Sequence, residues 1–122
     1  MSERIENLYR PNEDGEQMAV VEYCELRGID VVHIPNEGKR SAAYGARMKR
    51  MGLKKGFPDL EFPIPVGKYH GLYIEMKAKG GKLDPDQNRW LAKLNARGYR
   101  ACVCVGADEA ITEVNEYLAG RR

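Results

Sequence analysis

No stretch of the 122-residue sequence approaches the roughly 20 consecutive apolar residues that a membrane-spanning helix requires. The opening Met1-Ser-Glu-Arg is charged and lacks the apolar centre of a secretory leader, so the expected setting is a cytoplasm. Internal repeats and low-complexity segments are missing, which excludes a stacked-repeat architecture. Cysteine is scarce and odd in number: Cys24, Cys102 and Cys104. The last two alternate in an apolar, Val-rich run that puts both on one sheet face. No His or Cys follows at zinc-ligand spacing, so they read as small buried hydrophobes. The two histidines, His33 and His70, stand in unrelated contexts without an H-x-x-H pattern and read as structural or turn residues.

One absence is local and informative. From Gly38 to Pro58 there is no acidic residue, while seven basic ones gather there: Lys39, Arg40, Arg47, Lys49, Arg50, Lys54 and Lys55. The formal charge of +2 therefore divides into +7 on this segment and −5 elsewhere, from 13 basic and 18 acidic residues. Cations focused in this way suit a phosphate backbone, because each one placed near a phosphate releases condensed counterions. Asn36 and Arg40 are candidates to touch such a substrate, and Tyr44 is a candidate to stack on a base or to pack internally.

What is present describes one domain over 13–122, preceded by a loose arm over 1–12 that contains Pro11 and Asn12. Val20, Val21 and Cys24 recur at helical spacing, and Gly28 stops a helix over 13–27. Asp30–Ile34 is a short β-branched strand closed by Pro35-Asn36, and a helical turn is expected around Ala42–Met51. Asp59–Ile64 and Gly71–Lys77 read as an antiparallel hairpin, with Pro63 pushing the first strand toward an edge or a bulge. Asp84 as N-cap and Pro85 at the first helical position start a helix with the buried stripe Trp90, Leu91 and Leu94, finishing at Gly98. Tyr99–Val105 fits a central strand and Ala107–Leu118 a final helix. The resulting order is α-β-β-β-α-β-α, an α/β protein.

Residues two apart in a strand share a face, so Glu75 and Lys77 project together with Tyr73, away from Leu72, Ile74 and Met76. A carboxylate beside an ammonium suits phosphodiester hydrolysis: the acid helps to hold a metal, and the lysine positions water or neutralises developing charge. Asp59, at the start of the neighbouring strand, is placed to supply a second carboxylate for a hard cation. Taken alone, E-x-K is more often an exposed charge pattern. Gln87 adds weight, as a polar residue one turn before the apolar stripe that needs a hydrogen-bond partner. Glu16, four residues before Val20, either reaches inward toward a metal or is an ordinary first-turn acid, and Glu13 competes with it.

Pro58-Asp59, Glu75-Met-Lys77 and Gln87 within Leu83-Asp-Pro-Asp-Gln-Asn-Arg-Trp90-Leu resemble the VRR-NUC branch of the PD-(D/E)xK nucleases, especially its stand-alone phage and bacterial members. The segments 33–40, 52–59 and 98–103 extend the likeness over about 13–118. The resemblance implies a restriction-endonuclease-like core, a mixed central sheet flanked by helices. It further implies Mg²⁺ or Mn²⁺ bound by Asp59, Glu75 and Glu16, with Lys77 assisting the nucleophilic water and Gln87 beside the site. By the same likeness the substrate is DNA, branched as in Holliday junctions or flaps, and the protein is a homodimer. Two rival readings are a non-catalytic module that recognises DNA structure and a nuclease subunit active only in a larger complex.

Overall fold

A computed structural model describes residues 11–35 and 41–122. Residues 1–10 of the arm expected over 1–12, and Asn36, Lys39 and Arg40, lie outside the described residues, while positions 11 and 12 of that arm are helical. The first helix, α1 (Pro11–Leu26), begins two residues before the sequence expectation. Proline at a first helical position forfeits only an N–H that has no intrahelical partner there. The helix ends as expected. Gly28 adopts φ +68°, and the amides of Gly28 and Ile29 return to the carbonyls of Glu25 and Cys24, closing a Schellman turn.

Next come β1 (Val32–His33), α2 (Ala42–Arg50), β2 (Leu60–Phe62), β3 (Leu72–Lys77), α3 (Pro85–Ala96), β4 (Arg100–Val105) and α4 (Ala107–Leu118). The turn expected near Ala42 is thus a nine-residue helix, capped by the Ser41 hydroxyl accepting from the Tyr44 amide. It adds one element to the order read from sequence. The sheet runs β1-β2-β3-β4, antiparallel across the first two pairs and parallel between β3 and β4. Strand β2 is not at the edge that Pro63 suggested. It lies between β1 and β3, and Pro63, which has no amide to donate, ends it at Phe62.

Strand β3 is paired on both sides, and its alternation sorts the interior. Leu72, Ile74 and Met76 join Leu60, Phe62, Val20, Cys24, Val114 and Tyr117 beneath α1 and α4. Each such fully buried side chain contributes at most about 1.5–3 kcal/mol. Tyr73 faces the other way, into a smaller cluster with Leu91 and Leu94 of α3 and Ala101 of β4. Trp90 stays half-buried and meets Phe57 edge to face at 5.0 Å. Strand β4 is the sheet edge and not a central strand. The Asn95 side chain covers that edge, accepting from the Ala101 amide at 3.0 Å and donating to the Ala101 carbonyl at 2.9 Å. At the same end of β4, buried Glu113 accepts from Arg100 and Arg122, which ties α4 to the sheet. Both Cys102 and Cys104 point to the α1 and α4 side. No helix of the described residues is long and apolar enough to cross a membrane.

Candidate active site

The face of β3 toward α3 carries Tyr73, Glu75 and Lys77 in succession. Packing closes around the middle of this row and opens at its end: Glu75 is 2% exposed and the Lys77 side chain 14%. The lysine Nζ stands 3.9 Å from Glu75 Oε2. Burial, and then the charge of Glu61 directly across the ladder, push the Tyr73 hydroxyl up to about 12. That phenol stays protonated over the whole physiological range.

Leu60 pairs with Ile74, so continuing the antiparallel register by one residue sets Asp59 opposite Glu75 on the same face. Asp59 leaves the ladder at that point. Its backbone carbonyl turns to β1, accepting from the Ile34 amide at 2.8 Å and from His33 Nδ1 at 2.9 Å. Its carboxylate turns to β3, where Oδ2 accepts from the Met76 amide at 2.8 Å. Anchored from both neighbouring strands, Asp59 is 3% exposed and sits beside the Glu75-Met-Lys77 backbone.

Gln87 finds the partner its position demanded. As the third residue of α3 it completes a capping box with Asp84: Gln87 Oε1 accepts from the Asp84 amide at 3.0 Å, and Asp84 Oδ1 accepts from the Gln87 amide at 2.9 Å. The remaining amide nitrogen of the side chain donates to Glu75 Oε2 at 3.1 Å. Glutamate would satisfy the cap equally well, but only the amide can also donate to a carboxylate. Gln87→Glu should therefore keep helix α3 yet set two carboxylates against each other. A loss of about 1–3 kcal/mol at pH 7 is expected. The repulsion requires both groups ionised, so the gap to the unmodified protein should narrow on acidification. Thermal melts at pH 7 and pH 5 check this, and a pH-independent gap would point to lost packing.

Glu16 lies on the far side of the sheet end, in α1. Its Oε1 accepts from the Ala107 amide at 2.8 Å, serving the first turn of α4, whose N-cap, Gly106, has no side chain to offer. The Gly106 amide in turn donates to the Lys77 carbonyl at 3.1 Å, so Glu16 stands beside the end of β3. Asp59, Glu75, Lys77 and Gln87 are brought together. Among the described residues, no three His, Cys, Asp or Glu side chains gather as a metal-binding group. Glu13 is half-buried in the first turn of α1.

The described part of the basic segment leads into this site. Arg47, Lys49 and Arg50 occupy the last turn of α2, a helix with no buried residue, and Lys54 and Lys55 are exposed on the loop after it. Tyr44 is also exposed. The loop then presses onto α3 at Gly56, with φ +86°, where an added Cβ would lie 2.6–2.8 Å from atoms of Asp86 and Gln87. Lys55 lies 4.0 Å from Asp86 at the same place. Phe57 inserts between Tyr73 and Trp90, Pro58 is buried, and Asp59 follows.

Sequence reasoning passed over Gly56 and gave His33 only a structural part. The one signal for Gly56 is a glycine between two lysines and Phe-Pro, and its contact with α3 is not a property of the local sequence. His33 does hold a backbone group, but the group belongs to Asp59. Gln17 stands 3.1 Å from the same ring nitrogen. His70 is remote from the site, against Gly98 and the Tyr99 ring.

The description "VRR-NUC domain" fits residues 12–108, a span that contains every one of the converging residues. A solved structure titled "VRR_NUC domain protein" superposes with a TM-score of 0.79 at 31% sequence identity, covering 89% of this chain and 89% of its own. Among curated proteins none matches. With the family pattern spanning most of the sequence and the fold agreeing, the chain belongs to the VRR-NUC family of nuclease domains.

Proposed function

We propose that this nuclease domain hydrolyses phosphodiester bonds of DNA with a divalent cation, Mg²⁺ or Mn²⁺, between Asp59 and Glu75. The observation that carries the proposal is the Asp59 carboxylate on the Met76 amide, which sets two buried acids and the Lys77 ammonium at one point of the sheet. The donor set fits such an ion. Carboxylate oxygens with no thiol or imidazole among them suit a hard cation that keeps several waters. When bound, that cation supplies Lewis-acid polarisation of a phosphoryl oxygen.

The protein groups do the rest. Lys77, the most exposed of the three, is placed to orient the attacking water or to meet charge developing on the phosphate. Gln87 holds Glu75 in one rotamer from the rigid start of α3. Glu16, one of whose two carboxylate oxygens accepts from Ala107, is the third candidate ligand at the end of β3. Arg47, Lys49, Arg50, Lys54 and Lys55 grip phosphates on the approach to the site, and we extend this grip to Asn36, Lys39 and Arg40. Each phosphate neutralised should steepen the fall of log K with log salt by about 0.9. A branched substrate and a homodimer complete the proposal, since two symmetric sites suit paired cuts across a junction.

A panel of linear duplex, fork, flap and four-way junction DNA with Mg²⁺ or Mn²⁺ tests this reading, alongside light scattering with and without the junction. Cutting should require the cation, and EDTA should stop it while leaving salt-sensitive binding intact. Binding without product under either metal would make the chain a recognition module, and monomers on and off DNA would remove the paired-cut arrangement.

A further inference from the structure

Beside the catalytic face lies a concave, mainly apolar pocket lined by Ile34, Gly52, Leu53, Lys54, Phe57 and Trp90. Nothing in the hydrolytic chemistry requires it. Two of its walls are aromatic, Phe57 and Trp90, and meet edge to face at 72°. Lys54 is among its lining residues, and the loop that carries Gly52, Leu53 and Lys54 is the continuation of the basic helix α2. Lys93, outside the pocket, covers the Trp90 ring at 5.0 Å.

Its position relative to the site is set by short stretches of chain. Phe57 precedes Asp59 by two residues, at most about 7 Å of extended backbone. Trp90 follows Gln87 by three residues on α3, one turn along the same helix face. The pocket is therefore lined by near sequence neighbours of Asp59 and Gln87.

On the reading of the chain as a DNA nuclease, we propose that this pocket receives one unstacked nucleobase of the strand being cut. An intact duplex offers a protein its phosphates and its base edges, whereas an aromatic-walled recess on a basic loop matches the flat face and flanking phosphate of a base outside the stack. Every base has such a face, so the recess selects for local distortion of the strand and not for sequence. The class of substrate this assigns is DNA that is single-stranded or easily unstacked at the cut, as at a junction or flap.

Trp90 is the single tryptophan of the chain, so its emission reports the pocket without a label. The 122-residue chain in EDTA is titrated with a fluorescein-labelled thymidine oligonucleotide and with a fully abasic strand of equal length, following both Trp90 emission and the anisotropy of the label. Trp90 should be quenched by the base-bearing strand alone, and that strand should bind on the order of tenfold more tightly. In Trp90→Leu the two strands should bind alike, at the affinity the unmodified protein has for the abasic one. Should that variant fail to fold, the comparison of strands on the unmodified protein still decides. Equal binding of both strands with unchanged Trp90 emission, in a protein that cuts DNA and depends on Glu75 to do so, overturns the base pocket and leaves the nuclease reading standing. Absence of both binding and cutting overturns both.

Discussion

Glu75→Gln should lower DNA cleavage by at least about 10²–10³-fold while leaving the protein folded. The substitution is nearly isosteric. Its amide keeps an oxygen that can accept from Gln87 Nε2, so the tie between β3 and α3 survives. What disappears is one of the two negative charges that would hold a divalent cation. Lys77 loses its partner at 3.9 Å but, being the more exposed of the two, keeps access to solvent, and the repulsion between the Asp59 and Glu75 carboxylates is relieved, so the melting temperature should stay within a few degrees of the parent. A preserved melt with lost cleavage would place Glu75 in the chemistry and not in the fold. Cleavage at the parental rate would sink the assignment of the site. Asp59→Asn offers the matching test on the other strand, because the amide oxygen can still accept from Met76 while the charge is gone.

Gly56→Ala should have the largest effect of any small substitution on stability. Alanine at φ +86° costs on the order of 1–3 kcal/mol by itself. In addition, the new methyl would lie 2.6–2.8 Å from backbone and Cβ atoms of Asp86 and Gln87, which a flexible side chain cannot relieve by swinging away. Overpacking of this kind adds about 1–3 kcal/mol. Together these lower the melting temperature by roughly 10 °C or more in a domain of this size. Gly52→Ala is the control: its φ is +108°, yet no atom lies within 4 Å of the added Cβ. It should suffer the conformational cost alone. Equal losses in the two variants would show that the loop does not press on α3. Because the contact lies on the first turn of α3, Gly56→Ala should also reduce cutting at temperatures where it is still folded, by shifting Gln87 away from Glu75.

The placement of the candidate side chains was legible in the sequence because strand alternation and helix capping are local rules. Tyr73, Glu75 and Lys77 had to share a face if 71–77 was a strand, and Asp84-Pro85 with Gln87 announced a capped helix. Those same rules misplaced β4 and left β2 open between an edge and a bulged end. A Val- and Cys-rich run reads as interior from either side, and only the sheet order shows that Asn95 substitutes for a neighbour at the β4 edge. Pro63 signals the end of a strand, but local sequence does not say whether the strand lies inside the sheet or at its rim.

By itself the chain determined the residue types, their periodicity and the separation of charge, and with them the family of nuclease domains to which it belongs. Tertiary structure decided the partnerships. Gln87 reaches Glu75 across 12 residues, Asp59 reaches Met76 across 17, and Glu16 reaches Ala107 across 91. Such contacts follow from how strands and helices stack, because a hydrogen bond depends on distance and angle in space and is blind to separation along the chain.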